Sequence, residues 1–187
     1  MTYGTLPPQR YPRSSKVFHW LVAICVLVQI PVALAMTRIA DGPPKDNLFA
    51  LHKALGVTLL ILVVLRVINR FIAGAPLPEP GIARWQRAAS SAVHGLLYLL
   101  LLAMTFVGWL GMSAFGEGAP FFDLFSLPKL PIAKDEALSK QLFMLHRWMG
   151  YLLAVVVAVH IGAALQHHFI LKDGVLLRML PRALGGR

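Results

Sequence analysis

The stretch Leu142–Leu171, LFMLHRWMGYLLAVVVAVHIGAALQHHFIL, decides the fold. It is apolar almost throughout and holds no carboxylate. At helical rise it runs for about 45 Å, more than the roughly 30 Å of hydrocarbon in a bilayer requires. His146 and His160 stand fourteen residues apart within it. Fourteen residues make nearly four full turns, so both rings leave one face of the helix, about 21 Å apart along its axis. One helix therefore carries an imidazole near each side of a membrane. Its carboxyl end, with His167 and His168, is expected at or beyond the cytoplasmic headgroups.

Composition agrees. Hydrophobic residues make up 57% of the chain and charged residues 14%, with a mean hydropathy of +0.67. Soluble domains carry about a quarter charged residues. The formal charge of +10 forms no stripe and sits between apolar runs, which points to anionic headgroups of a lipid bilayer and not to nucleic acid. The lone Cys25 excludes an internal disulfide, and no C-x-x-C-H offers a covalent haem attachment. The amino-terminal MTYGTLPPQRYPRSSK lacks a prompt A-x-A cleavage site, so the first apolar run is expected to be retained.

Four segments are long enough to span: Val17–Met36, Leu48–Ile72, Ala88–Met112 and Leu142–Leu171. Connections bearing proline and glycine separate them, and the first two are short. The expectation is an all-α membrane protein, a four-helix antiparallel bundle forming one domain over residues 1–187. One side collects Arg10, Arg13, Lys16, Arg66, Arg70, Arg84, Arg87, Lys172, Arg178, Arg182 and Arg187 against Glu79 and Asp173. The other sets Arg38, Lys45, Lys53, Lys129, Lys134, Lys140 and Arg147 against Asp41, Asp46, Glu117, Asp123, Asp135 and Glu136. The basic excess marks the cytoplasmic side, so both termini face the cytoplasm of a multi-pass inner-membrane protein.

Histidines inside spans are costly without partners and face the bundle interior. Here they fall into two levels. His52 and His146 lie towards the outer side; His19, His94 and His160 lie in the cytoplasmic half. Inward histidines on facing helices are how bundles hold metals and cofactors, and two levels predict two b haems, bound non-covalently. One turn beyond a ligand a bulky side chain would obstruct a porphyrin edge. That position is Gly56 after His52, Gly150 after His146, Ala23 after His19 and Ala164 after His160, but Tyr98 after His94. The outer haem iron is therefore assigned to His52 and His146 and the inner to His19 and His160, with His94 the alternative to His19. Close helix packing is the other use of such glycines. Lys53 and Arg147 directly follow the outer ligands, and Arg66 repeats the His52 face fourteen residues on, as cations for haem propionates. Snorkelling to the cytoplasmic surface is the plainer role for Arg66. Trp20, Trp85, Trp109 and Trp148 read as interfacial anchors.

The segments F-H-W (Phe18–Trp20), L-H-K-A-L-G (Leu51–Gly56), V-H-G-L-L-Y (Val93–Tyr98), L-H-R-W-M-G-Y (Leu145–Tyr151) and A-L-Q-H-H-F (Ala164–Phe169) together resemble the bacterial cytochrome b561 family. L-L-R-M-L-P-R (Leu176–Arg182) extends the resemblance over nearly the whole chain. It implies an inner-membrane protein with two b haems that carries electrons between a partner outside the cytoplasm and ubiquinone or another membrane quinone. One branch of that family oxidises superoxide and reduces ubiquinone. Related cytochromes serve as membrane subunits of hydrogenases and formate dehydrogenases.

With both axial positions filled, electrons are expected to enter by an outer-sphere route at a haem edge. Lys53 and Arg147, with Lys129, Lys134 and Lys140, are candidates to attract superoxide. His94, His167 and His168 are candidates for a quinone site, where protons must also move. Two other readings stand beside this one. In the first, the chain passes electrons from a dehydrogenase or hydrogenase partner, a soluble redox protein, to quinone. In the second, it is a non-haem metal-binding transporter, for which spans free of Asp and Glu are poorly equipped.

Overall fold

The computed structural model describes residues 10–79, 81–122 and 124–180. Asp123, Arg182, Arg187 and the chain before Arg10, all used in the sequence reading, lie outside them. Four long helices dominate: α1 Arg13–Met36, α2 Pro43–Ala73, α3 Arg84–Phe115 and α4 Glu136–Gln166. Each is long and apolar enough to cross a membrane.

All four start before the hydropathy pattern suggests, because their first turns are polar. Helix α2 opens with Pro43 after Gly42, where a missing N–H costs nothing. The Asp135 side chain caps α4 by accepting the Leu138 amide at 3.0 Å. Helix α3 ends on Gly116, whose φ of 105° lets its amide turn back to the Met112 and Ser113 carbonyls. In the first turn of α2, Lys45 reaches back to bond Asp41 at 2.6 Å, and that hydrogen bond and charge hold the exposed Asp41 carboxyl below its usual range. Regular geometry stops at Gln166, and His167–Leu171 form a π-helical turn where the sequence predicts continued α-helix. Such turns recur at functional sites.

Neighbouring helices run antiparallel. Asn69, late in α2, donates to the Ser15 hydroxyl at the start of α1 (3.0 Å), while Gln29 of α1 reaches the His52 carbonyl near the start of α2 (2.9 Å). Ser139 at the start of α4 donates to the Gly111 carbonyl at the end of α3 (3.1 Å). The Tyr11 amide meets the Arg178 carbonyl at 3.4 Å, so both ends of the described chain lie on one side.

Helix α1 packs chiefly on α2 and α3 on α4, and the two helical hairpins meet mainly through α2 and α3. The core is a column of Val22, Val26, Leu59, Val63, Leu100, Leu101, Leu153 and Val156, two from each helix. Ile24, Val64, Leu99 and Val155 point outward as apolar residues face lipid. Trp85 is exposed at the start of α3 as an anchor, and Trp148 is exposed well inside α4; Trp20 and Trp109 instead use their indole N–H groups on the Met179 and Pro128 carbonyls.

The outer connection between α3 and α4 departs from the all-helical expectation. Strands β1 Ala119–Phe121 and β2 Phe125–Leu127 pair antiparallel, with Phe121 opposite Phe125 and their rings stacked at 4.8 Å. Three residues are too few for an alternating pattern to register in sequence. This hairpin rests on α2 and closes over the outer end of the bundle.

Candidate functional site

Because the two helical hairpins touch mainly along one seam, a cleft of about 440 Å³ opens between them at the outer level. That lies within the roughly 300–1,000 Å³ of cofactor and ligand sites. All four helices line it, and Ala119 and Leu127 of the β-hairpin border it. His52 and His146 face one another there, ring centroids 5.9 Å apart and planes at 86°. The Nδ1 of His146 pairs with the Met104 carbonyl at 2.8 Å, which makes it the protonated nitrogen and leaves Nε2 as the lone-pair donor. The Nδ1 of His52 is buried without a partner. Lys53 and Arg147 line the same cleft.

The glycines separate into two kinds. A Cβ on Gly56 or Gly150 would meet only ordinary contacts, Gln29 at 4.0 Å and Met104 at 3.9 Å, so neither is needed for close helix packing. Both border the cleft. The packing glycines lie on α3 instead: a Cβ on Gly108 would stand 3.2 Å from the His146 ring, and one on Gly111 2.8 Å from Phe143.

At the inner level three rings converge. His19 and His160 are 6.2 Å apart with planes at 83°, and His94 and His160 are 5.1 Å apart at 81°. The His94 Nδ1 lies 2.6 Å from the Ser90 carbonyl, one turn back on its own helix. Beside them Arg66 donates through Nε to the Tyr98 hydroxyl at 3.1 Å, its guanidinium carbon 5.5 Å from that ring's centre. Its Nη1 is buried with no partner. Arg66 thus does not extend freely to the surface, and the bulky Tyr98 that follows His94 is what holds it.

Histidines 167 and 168 form a separate group in the π-helical turn. His167 pairs with Asp173 at 2.5 Å, and the His168 ring lies against Phe169. Among the described residues no hydrogen bond or ring contact joins either to His94. No set of three His, Cys, Asp or Glu side chains gathers as for a directly held metal ion among the described residues. The outer histidines stand as a facing pair, and the inner His160 faces two partners, with room for a planar group at the outer cleft.

A protein-family model described as prokaryotic cytochrome b561 matches residues 10–182. The chain belongs to that family. Two relatives from Escherichia coli (strain K12), cytochrome b561 homolog 2 and homolog 1, are 36% and 30% identical to it. The first match covers 96% of this chain and 95% of the relative, the second 92% and 98%. A Yersinia pestis protein named probable superoxide oxidase CybB is 26% identical over 89% of this chain and 93% of its own length. This cytochrome is therefore a multi-pass protein of the bacterial inner membrane, embedded in the lipid bilayer, from a family of electron-transfer proteins that bind haem b.

The structure also brings in residues that sequence reasoning passed over. Gly108, Met104 and Gln29 surround the outer histidines, yet each reads in sequence as an ordinary apolar-helix residue, except Gln29, an amide amid valines and isoleucines in α1. On the outer side Lys134, a candidate cation from the sequence, lies along Gly116, its ammonium 5.8 Å from the Phe115 ring centre. On the inner side the segment after α4 folds back as a strap. Lys16 bonds the Leu180 carbonyl at 2.8 Å, and Arg178 reaches the Leu77 carbonyl at 2.6 Å and Glu79 at 3.4 Å.

Proposed function

We propose that this cytochrome moves single electrons across the membrane between superoxide on the outer side and ubiquinone on the inner side, using two b haems. The spacing of the histidine rings carries the reading. With metal–imidazole bonds of about 2.0–2.1 Å, two rings on opposite sides of one metal set their centroids roughly 6 Å apart. His52 with His146, at 5.9 Å, and His19 with His160, at 6.2 Å, meet that distance, whereas His94 with His160, at 5.1 Å, falls short. The same pairs follow from the small residues one turn beyond each. Gly56 and Gly150 border open space, as residues beside a cofactor edge should.

Bound haem would supply a reversible one-electron couple whose potential the ligands, burial and nearby charge tune. The chain's own residues do the rest. Arg66, with one guanidinium nitrogen unmatched in the bundle interior, is suited to a haem carboxylate at the inner level. Lys53 and Arg147 draw a small anion to the outer cleft. Superoxide gives up one electron and leaves as dioxygen; two such electrons and two protons convert a quinone to its quinol. His94, His167 and His168 are the residues to bind quinone oxygens and pass protons, and Asp173 orients His167. The relative named probable superoxide oxidase supports superoxide as the donor.

Haem counted per chain from a reduced-minus-oxidised spectrum tests the scheme. Two low-spin b haems in the wild type, with loss of one in H52A and of the other in H19A but not in H94A, is the expected result. One haem, or retention of both in H19A, overturns the assignment.

A further inference from the structure

Gln29 is a carboxamide inside a transmembrane helix, 9% exposed, on the wall of the outer cleft. Polar groups at that depth are costly and need a reason. Its Nε2 donates to the His52 carbonyl at 2.9 Å, crossing from α1 to α2. A carbonyl can only accept and a carboxamide donates only through its NH2, so this bond fixes which way round the amide sits and makes Oε1 the free end. That Oε1 is buried and has no partner, and neither has the Nδ1 of His52. One orphan is an acceptor; the other becomes a donor as soon as Nε2 serves as the ligand, since neutral imidazole must then carry its proton on Nδ1. Ligating histidines nearly always give that second N–H to an oxygen, which fixes the ring and raises its basicity. His146 gives its own to Met104.

We propose that Gln29 is the positioning residue for His52. Its Oε1 takes the His52 Nδ1–H, by a turn of the ring or through one water, while its NH2 stays on the His52 carbonyl. The two outer ligands then differ in kind: a main-chain carbonyl supports His146, and a replaceable side chain supports His52. Electron density passed from Oε1 through the imidazole favours the oxidised iron, so residue 29 sets the potential of the outer haem and leaves the inner one alone. This inference rests on the two-haem reading above.

The test is a redox titration of purified holoprotein, with the outer component identified as the one missing from H52A. Wild type is counted for haem first; fewer than two haems per chain sinks the two-haem reading before any variant is considered. With Gln29→Met, which keeps the bulk and removes the acceptor, the outer haem should favour the reduced form by up to about tenfold, equivalent to about 59 mV for one electron. With Gln29→Glu, which keeps an acceptor, its potential should stay or fall. The inner haem should hold its potential in both. No change in Q29M, the same upward shift in Q29M and Q29E, or loss of the outer haem from both variants overturns the proposal. If only Q29M loses that haem, its retention in Q29E at or below the wild-type potential supports it.

Discussion

Arg66 and Tyr98 are bonded across the interface of α2 and α3, Nε to hydroxyl at 3.1 Å, with the guanidinium over the phenol ring. The bond occupies Nε, while Nη1 stays buried without a partner near His19, His94 and His160. A residue that looked too bulky to sit beside a haem ligand thus becomes the support for an α2 cation close to the inner histidines.

Removing that hydroxyl should therefore be felt twice. A hydrogen bond to a charged group contributes about 1.5–3 kcal/mol, and Tyr98→Phe should lower stability by that order in a detergent melt followed by circular dichroism. The inner component of the haem spectrum should shift in the same variant, since Arg66 is then free to turn away. An unshifted inner component would show that Tyr98 serves packing alone.

The two kinds of glycine predict opposite behaviour. Alanine is favoured over glycine within a helix by about 0.5–1 kcal/mol, and a Cβ at Gly56 or Gly150 meets no tight contact. Gly56→Ala and Gly150→Ala should be as stable as wild type when haem is withheld and should lose outer haem when it is supplied. Gly108→Ala presses on the His146 ring and should cost about 1–3 kcal/mol with or without haem. Parallel melts of haem-depleted and haem-loaded protein separate the cases.

Lys53 and Arg147 line the outer cleft. Neutralising both, as Lys53→Gln with Arg147→Gln, should slow haem reduction by superoxide by about tenfold at low salt and flatten its salt dependence. Stopped-flow reduction across a range of ionic strength makes the comparison. An unchanged rate with unchanged salt dependence would remove these residues from the electron-entry path.

The strap after α4 is held by groups that are themselves buried: Lys16 is 8% exposed and Arg178 7%. Removing one partner of a buried charged contact costs several kcal/mol, and each 1.4 kcal/mol is about tenfold in opening. Arg178→Met should speed tryptic cleavage after Lys172 by about tenfold or more, with Lys16→Met having a smaller effect. Cleavage timed by mass spectrometry on detergent-solubilised protein reads this directly.

Much of this molecule was legible in its sequence. Hydropathy marks the spans because crossing a bilayer demands length and apolarity whatever the neighbours do. Charge asymmetry orients them, and the fourteen-residue interval between His146 and His160 places two rings on one helical face. These are properties of a helix taken alone. The third inner ring was visible too: Tyr98, one turn beyond His94, set it apart from His19 in sequence, and the structure adds ring distances to His160 of 5.1 Å for His94 and 6.2 Å for His19.

What the tertiary structure alone decided concerns relations between helices. That Gly108 and not Gly150 lies tight against a neighbour, that Tyr98 grips Arg66, that Gln29 crosses to the carbonyl of His52, and that a short strand pair closes the outer cleft all depend on how each helix is rotated and spaced against the next. Periodicity tells which residues share a face; it does not say which face of the partner they meet. Packing of whole side chains sets that rotation, so hydrogen-bond partners within the bundle emerge only when all four helices are in place.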